Sequence, residues 1–304
     1  MQALQGKVAL VTGASRGVGK GVALGLAEAG ATVYVTGRTV EEGQGVGGLP
    51  GTIGGTVEDA ERLGGRAIGV RCDHRDDGEV VALFARIESD HGRLDILVNN
   101  VWGGYEHFWD GTEFWREEGF WTAPLSRWDA MFGAGVRAHY VCSALAAPLM
   151  VPRRSGLIVN ISFFAARKDD SGVAYGVAKA ADDRMAACMA HDLRPHNVAA
   201  VSLYPGLVHT ESVLRAAEHF DLIQFRVAPV HRARRRGPGG GPRGHAQVGA
   251  GDGRGGTRGR LRLRRRRRPA TNVPARGVKA ARYVARADAG RGEGAKCFQL
   301  DCTE

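Results

Sequence analysis

Six short apolar runs, rich in β-branched residues, recur at 8–12, 31–36, 66–72, 94–100, 156–162 and 197–204 of this 304-residue chain. Runs of that length, bounded by turn-forming residues, mark buried strands. Segments with helical apolar spacing lie between most of them, at 17–29, 77–90, 126–147 and 173–193, and another follows the last at 210–220. Strand and helix in alternation require parallel pairing, because a parallel neighbour is reached only through a long crossover. The runs are apolar throughout rather than at every second residue, so helices are expected on both faces of the sheet. The fold class predicted is α/β, a doubly wound parallel sheet, and such a sheet binds its ligands at the carboxyl ends of its strands.

Two segments interrupt the alternation. Residues 41–56 form a glycine-rich arm that reads as a mobile loop. Residues 102–128 hold all five tryptophans, Trp102, Trp109, Trp115, Trp121 and Trp128, with Tyr105, Phe108, Phe114 and Phe120 among them. This is an insertion or a lid, whose aromatics either wall an apolar pocket or pack the loop against the body.

The net charge of +10 is local. Residues 231–268 contain fourteen Arg, eleven Gly and the single acid Asp252, so that stretch carries +13 and the remainder −3. Periodicity stops near Phe225-Arg226, which divides the chain into a folded domain at 1–226 and an Arg/Gly/Pro-rich tail at 227–304 that is expected to be disordered. Arginine among glycines would suit a flexible arm on RNA phosphates. The aromatic interleaving of such arms is missing, so nucleic acid is not an expected partner. The same Arg, Gly, Ala and Pro mixture is what a GC-rich gene yields when translated out of frame. Cys72, Cys142, Cys188, Cys297 and Cys302 show neither paired nor metal-binding spacing. With no signal peptide before Lys7 and no apolar stretch near the roughly 20 residues of a membrane span, a soluble cytoplasmic protein without a metal is expected.

The first run ends in Thr12-Gly13-Ala14-Ser15-Arg16-Gly17-Val18-Gly19, a turn that brings backbone amides to the start of a helix and close to a pyrophosphate. After the second run, where a carboxylate would bind an adenosine ribose, stands Gly37-Arg38. Arg16 and Arg38 together can flank a 2′-phosphate, which points to NADP(H), with NAD(H) the alternative. Asp73, ending the third run, is placed to accept from an adenine amino group or to cap a helix. Asn99-Asn100 ends the fourth.

Tyr175 and Lys179 lie four residues apart and therefore share a helical face. A phenol with a pKa of about 10 serves as an acid or base at neutral pH only if its anion is stabilised, and a neighbouring ammonium does that. Ser162, thirteen residues before Tyr175, ends the fifth run where a hydroxyl can polarise a carbonyl.

These motifs resemble the short-chain dehydrogenase/reductase family over about residues 5–222, and Phe120-Trp121, Trp128-Asp129 and His139-Tyr140 are similar to its dehydrogenase/reductase member 1 branch. The resemblance implies a Rossmann-type NAD(P)-dependent oxidoreductase of carbonyls or alcohols, and usually a dimer or tetramer. It implies Tyr175 as acid-base, Ser162 as substrate-orienting hydroxyl and Lys179 as its aid. Cofactor contacts would come from Gly13, Ser15, Arg16, Gly17, Val18, Gly19, Arg38, Asp73, Asn99, Tyr175, Lys179, Pro205, Gly206, Val208 and Thr210. Aromatics near the pocket make a hydrophobic small molecule the expected substrate. Three departures stand out. Trp102 replaces a small residue beside the cofactor, and the helix asparagine of the family falls at Gly135. The family's Ser-Ser pair is Ser162-Phe163, where strand register favours Phe163 for the catalytic slot and spacing favours Ser162. The alternative readings are a catalytically impaired nucleotide-binding protein with a truncated or frameshifted C-terminus, and an RNA-binding tail on such a domain.

Overall fold

The computed structural model describes residues 2–107, 119–169, 171–206 and 208–215, and the backbone of 298–299. Strands β1 (Val8–Val11), β2 (Thr32–Gly37), β3 (Arg66–Arg71), β4 (Ile96–Asn99), β5 (Gly156–Ile161) and β6 (Val198–Tyr204) pair in the order β3-β2-β1-β4-β5-β6, all parallel. The reversal between β1 and β4 makes the crevice at their carboxyl ends the place for a ligand. Beyond β6 the backbone of β7 (Phe298–Gln299) pairs with Leu203 and Tyr204, also parallel. That strand lies inside the segment expected to be unstructured, and two residues are too few to register in any periodicity. The rest of the 227–304 tail, like Trp109, Trp115, Phe108 and Phe114, lies outside the described residues.

Successive strand residues feed opposite faces. Val8, Leu10 and Tyr34 join one buried cluster with residues of α3 (Asp77–His91) and α5 (Ala138–Met150), while Ala9, Val11, Val33 and Val35 join another with α1 (Gly17–Glu28) and α2 (Ile53–Arg62). This two-sided burial is why the strands read as unbroken apolar runs. The helix α2 begins inside the arm expected to be a loop: Thr52 caps it by accepting from Gly55 N at 2.9 Å. Gly54 and Gly55, poor helix formers, hid that start from the sequence pattern. The single helix expected over 126–147 is instead α4 (Leu125–Ala130), a π turn at Met131–Arg137 and α5. Helices α6 (Val173–Leu193) and α7 (Glu211–Arg215) follow. Among the described residues no helix is long and apolar enough to cross a membrane.

His74, 1% exposed, hydrogen-bonds through Nε2 with Thr36 Oγ1 at 2.8 Å, and burial, helped by His139, pulls its pKa down to about 4. The unfolded chain, with its histidine near 6.5, binds the extra proton first. Stability is therefore full above pH 6.5 and falls as pH drops toward 4, by about 3 kcal/mol from this residue. Urea melts at pH 7 and pH 4.5 check the loss, which a His74→Asn chain should show in much smaller measure.

Candidate active site

At the end of β1 the chain turns sharply, with Gly13 and Gly17 at φ +65° and +59°. A Cβ on Gly19 would stand 2.4 Å from both the Gly13 carbonyl oxygen and Asn100 Nδ2, so glycine is required there. Asn100 Nδ2 donates to the carbonyls of Thr12 and Gly13 at 3.0 and 2.8 Å and braces the turn. Ser15 is buried, and Val18, in the first turn of α1, packs on the core. Gly17 N donates to Glu211 Oε2 at 2.9 Å. That carboxylate stands in for an anionic phosphate oxygen at a helix start, so the turn fits the pyrophosphate of a dinucleotide. The loop after β6 carries Glu211 there: Gly206 takes φ +73°, Thr210 N donates to the Val208 carbonyl, and the Thr210 methyl lies against Gly17. Pro205, Gly206, Val208 and Thr210 thus belong to a segment that returns to the glycine turn.

Asn99 does not belong to this site. Fully buried, its Nδ2 donates to Ser143 Oγ and Asn160 Oδ1, both at 2.9 Å, and ties β4 to α5 and β5. Neighbouring strand residues point oppositely, and it is Asn100 that faces the turn.

At the far end of the crevice Arg16 donates to the carbonyls of Pro50 and Gly51 at 2.9 and 2.7 Å, and to Thr39 Oγ1 at 3.1 Å. Burial lowers its pKa, and Arg38 is near enough to add to that effect. Arg38 pairs with Glu106 at 2.6 Å and lies 3.9 Å from Asp73. Asp73 accepts from Arg75 Nη2 at 2.8 Å, a bond that holds its carboxyl down to about 2. Arg75 also reaches Glu106 at 3.3 Å. Asp73 is therefore committed to arginine, and an adenine amino group there would share it.

Tyr175 and Lys179 sit on α6, with the Trp102 indole against both. The ring meets Tyr175 edge-on at 5.6 Å between centroids, and Lys179 Nζ lies 4.0 Å from its centre. The ammonium also donates to the Ile161 carbonyl at 3.0 Å and pairs with Asp182 at 3.3 Å. Burial lowers the Lys179 pKa despite Asp182. Asp182, in turn, meets His139 Nδ1 at 2.8 Å, and His139 Nε2 donates to the Val101 carbonyl at 2.9 Å. Burial alone would raise Asp182, but His139 and Lys179 outweigh it and hold the carboxyl below its usual range.

The expectation that Lys179 depresses the Tyr175 phenol does not hold in this arrangement. Burial pushes that phenol far above its ordinary value, and Tyr105 and Asp182 add to the rise. The tyrosine is held as a proton donor. The placement of Ser162 is corrected as well: its buried Oγ donates to the Lys179 main-chain carbonyl at 3.1 Å, inside the β5–α6 packing. The next residue faces the crevice, the Phe163 ring lying 6.2 Å from that of Tyr175.

Two departures noted separately in the sequence are one exchange. A Cβ on Gly135, in the π turn, would stand 2.7 Å from the Trp102 ring, so the missing asparagine is what admits the indole. Trp102 Nε1 is buried without a partner, which leaves a donor beside Tyr175 and Lys179 for a bound acceptor. Sequence reasoning missed Tyr105, Glu106, Asp182 and Glu211 as members of this site. Asp182 stands at i+3 from Lys179 on one helical face, and that spacing and the parity of Asn99-Asn100 were the usable signals.

The short chain dehydrogenase family pattern matches residues 7–219, and the chain belongs to that family. Within it, the chain sides with one branch: it is 46% identical over 211 residues to dehydrogenase/reductase SDR family member 1 of Mus musculus, an alignment covering 69% of this chain and 63% of that protein. The chain thus spans less than two thirds of this relative's length. Among solved structures, a metagenomic short-chain oxidoreductase in complex with NADP superposes with a TM-score of 0.57 at 30% identity, covering 67% of this chain and 84% of the other. A 7α-hydroxysteroid dehydrogenase complexed with NADH and 7-oxo glycochenodeoxycholic acid gives 0.58 at 29% identity, covering 70% and 76%. The relatives it matches are named dehydrogenases and reductases.

Proposed function

We propose that residues 1–226 form an NADP(H)-dependent reductase of a hydrophobic small-molecule carbonyl, or a dehydrogenase of the corresponding alcohol. The observation that carries this reading is the half-buried Tyr175 phenol, kept protonated, with the Trp102 indole against both it and Lys179. The turn and Glu211's position would hold the pyrophosphate, and a bound nicotinamide would exchange hydride with the substrate carbon. Tyr175 gives its proton to the developing alkoxide, which suits reduction at neutral pH. The Lys179 ammonium, held by the Ile161 carbonyl and Asp182 against the Trp102 ring, is the cation one helical turn from the phenolate that remains.

Arg16 and Arg38 support the phosphorylated cofactor, as does the NADP complex of a similar structure. Arg38→Ala is expected to weaken NADPH binding about tenfold and NADH binding little, since a bidentate phosphate contact is lost. Titration of nicotinamide fluorescence with each nucleotide decides it, and equal losses would return the choice to NAD. Turnover is then sought with NADPH and benzaldehyde, decanal and cyclohexanone. Tight nucleotide binding without turnover of any carbonyl would favour the impaired binding protein.

A further inference from the structure

Carbonyl and carboxylate oxygens only accept hydrogen bonds, so an imidazole ring held between one of each has to supply both protons itself. His139, on α5, is held in that way. Its Nε2 lies 2.9 Å from the Val101 carbonyl oxygen, just past β4, and its Nδ1 lies 2.8 Å from Asp182 Oδ1 on α6. The other oxygen of Asp182 pairs with Lys179 Nζ at 3.3 Å, which keeps the carboxyl ionised. A neutral ring has a single N–H. With that proton on Nε2, a bare Nδ1 would face a bare carboxylate oxygen at hydrogen-bond distance, an arrangement of two lone pairs that the interior does not tolerate.

His139 and Asp182 are both buried, so their neighbours rather than solvent decide the charge each carries. The further titratable groups in the packing around the ring are His74, from the loop after β3, and Cys142, on His139's own helix, 3.5 Å from one another. Both are uncharged at neutral pH: burial, helped by His139, draws the histidine down to about 4, and burial pushes the thiol far up. Asp183, next along α6, is turned away to Ser202 and Tyr204 on β6, and Arg137 pairs with Asp77 at the surface. Among the described residues Asp182 is thus the charge facing the ring. One carboxylate stands between two cations, and the cluster keeps a net positive charge beside the Trp102 indole that meets Tyr175.

We propose that His139 is a buried imidazolium and a positioning residue for Lys179, taking one oxygen of Asp182 so that the ammonium shares that carboxylate rather than being cancelled by it. The role rests on the reductase reading above. Lys179 is held by the Ile161 carbonyl at 3.0 Å and by the second Asp182 oxygen, with its remaining face on the Trp102 ring. Once Tyr175 has given up its proton, the phenolate lies one helical turn from a cation whose counter-charge is divided. With a neutral side chain at 139, Asp182 would offset Lys179 in full, and its opposition to ionisation of Tyr175 would be unshielded. His139 touches neither phenol nor substrate in this scheme and acts only through Asp182 and Lys179.

The test uses the full chain and has two arms. In the first, nitrogen NMR of the histidine rings at neutral pH, with the His139 signals assigned by their loss in His139→Gln, is expected to show both ring nitrogens protonated. One unprotonated nitrogen overturns the proposal. In the second, oxidation of the alcohol corresponding to whichever carbonyl is turned over is followed against pH, because that direction needs the Tyr175 phenolate. His139→Gln can still donate to Asp182 but carries no charge. Its profile is expected to move about one unit to higher pH, lowering kcat about tenfold at a fixed neutral pH, with KM and NADPH affinity within about twofold of wild type. A profile that stays in place, whether or not the melting temperature falls, makes His139 a packing residue and overturns its role. His139→Asn serves both arms in the same way if the glutamine variant does not fold. Absence of turnover in wild type removes the reductase reading and the positioning role with it, while the ring nitrogens still decide the imidazolium.

Discussion

Tyr175→Phe is expected to reduce kcat for carbonyl reduction about a thousandfold, in the range seen when a positioned general acid is removed. The affinity for NADPH should stay within about twofold, because the ring and its contact with Trp102 survive. The phenol's environment also fixes the pH dependence. Burial, then Tyr105 and Asp182, raise the Tyr175 pKa, so the protonated form persists well above the usual phenol value of about 10. Reduction consumes that protonated form and should hold its rate into alkaline buffer, while alcohol oxidation, which needs the phenolate, should climb with pH across the same range. Profiles in both directions measure this, and a reduction rate falling between pH 7 and 9 would contradict the donor assignment.

The second large effect is on stability. Asp182 is 0% exposed and is the counter-charge for both Lys179 and His139, at 3.3 and 2.8 Å. Asp182→Ala leaves an ammonium and a ring N–H buried without it, a change that costs about 3–5 kcal/mol. For a folded unit of this size the melting temperature should fall by about 10 °C. The sign with pH follows from the depressed carboxyl. Its contribution is present above the unfolded aspartate value of about 4 and disappears as pH falls through the folded one. Wild type and variant should therefore converge in acid. Asp182→Asn keeps the shape and should lie between them in thermal melts at neutral pH.

Much of the architecture was legible because it is repeated. A strand covered on both faces needs an apolar residue at nearly every position, and β1 (VALV) meets that demand throughout and β4 (ILVN) in all but its last residue. The helix α2 was not legible, since Thr52 capping is a single hydrogen bond among glycines that argue for a loop. The π turn at Met131–Arg137 had no signature either, although Gly133 and Gly135 lie in it. In the site, Tyr175, Lys179 and the glycine turn were readable because their spacing is local: one helical turn for the pair, one tight turn for the phosphate cradle.

Side-chain direction was not readable in the same way. Ser162 and Phe163 are equally consistent with a strand end until β5 is set against α6, and that packing sends the serine hydroxyl to the Lys179 carbonyl and the phenyl ring to the crevice. The sequence by itself determined a doubly wound parallel sheet, a nucleotide turn and a tyrosine and lysine one turn apart, because each depends on neighbours within a few residues. Tertiary structure alone decided that Trp102 lies against Gly135 and that His139 meets Asp182. Those contacts join elements far apart in the chain, and a distance across a crevice leaves no period in the sequence.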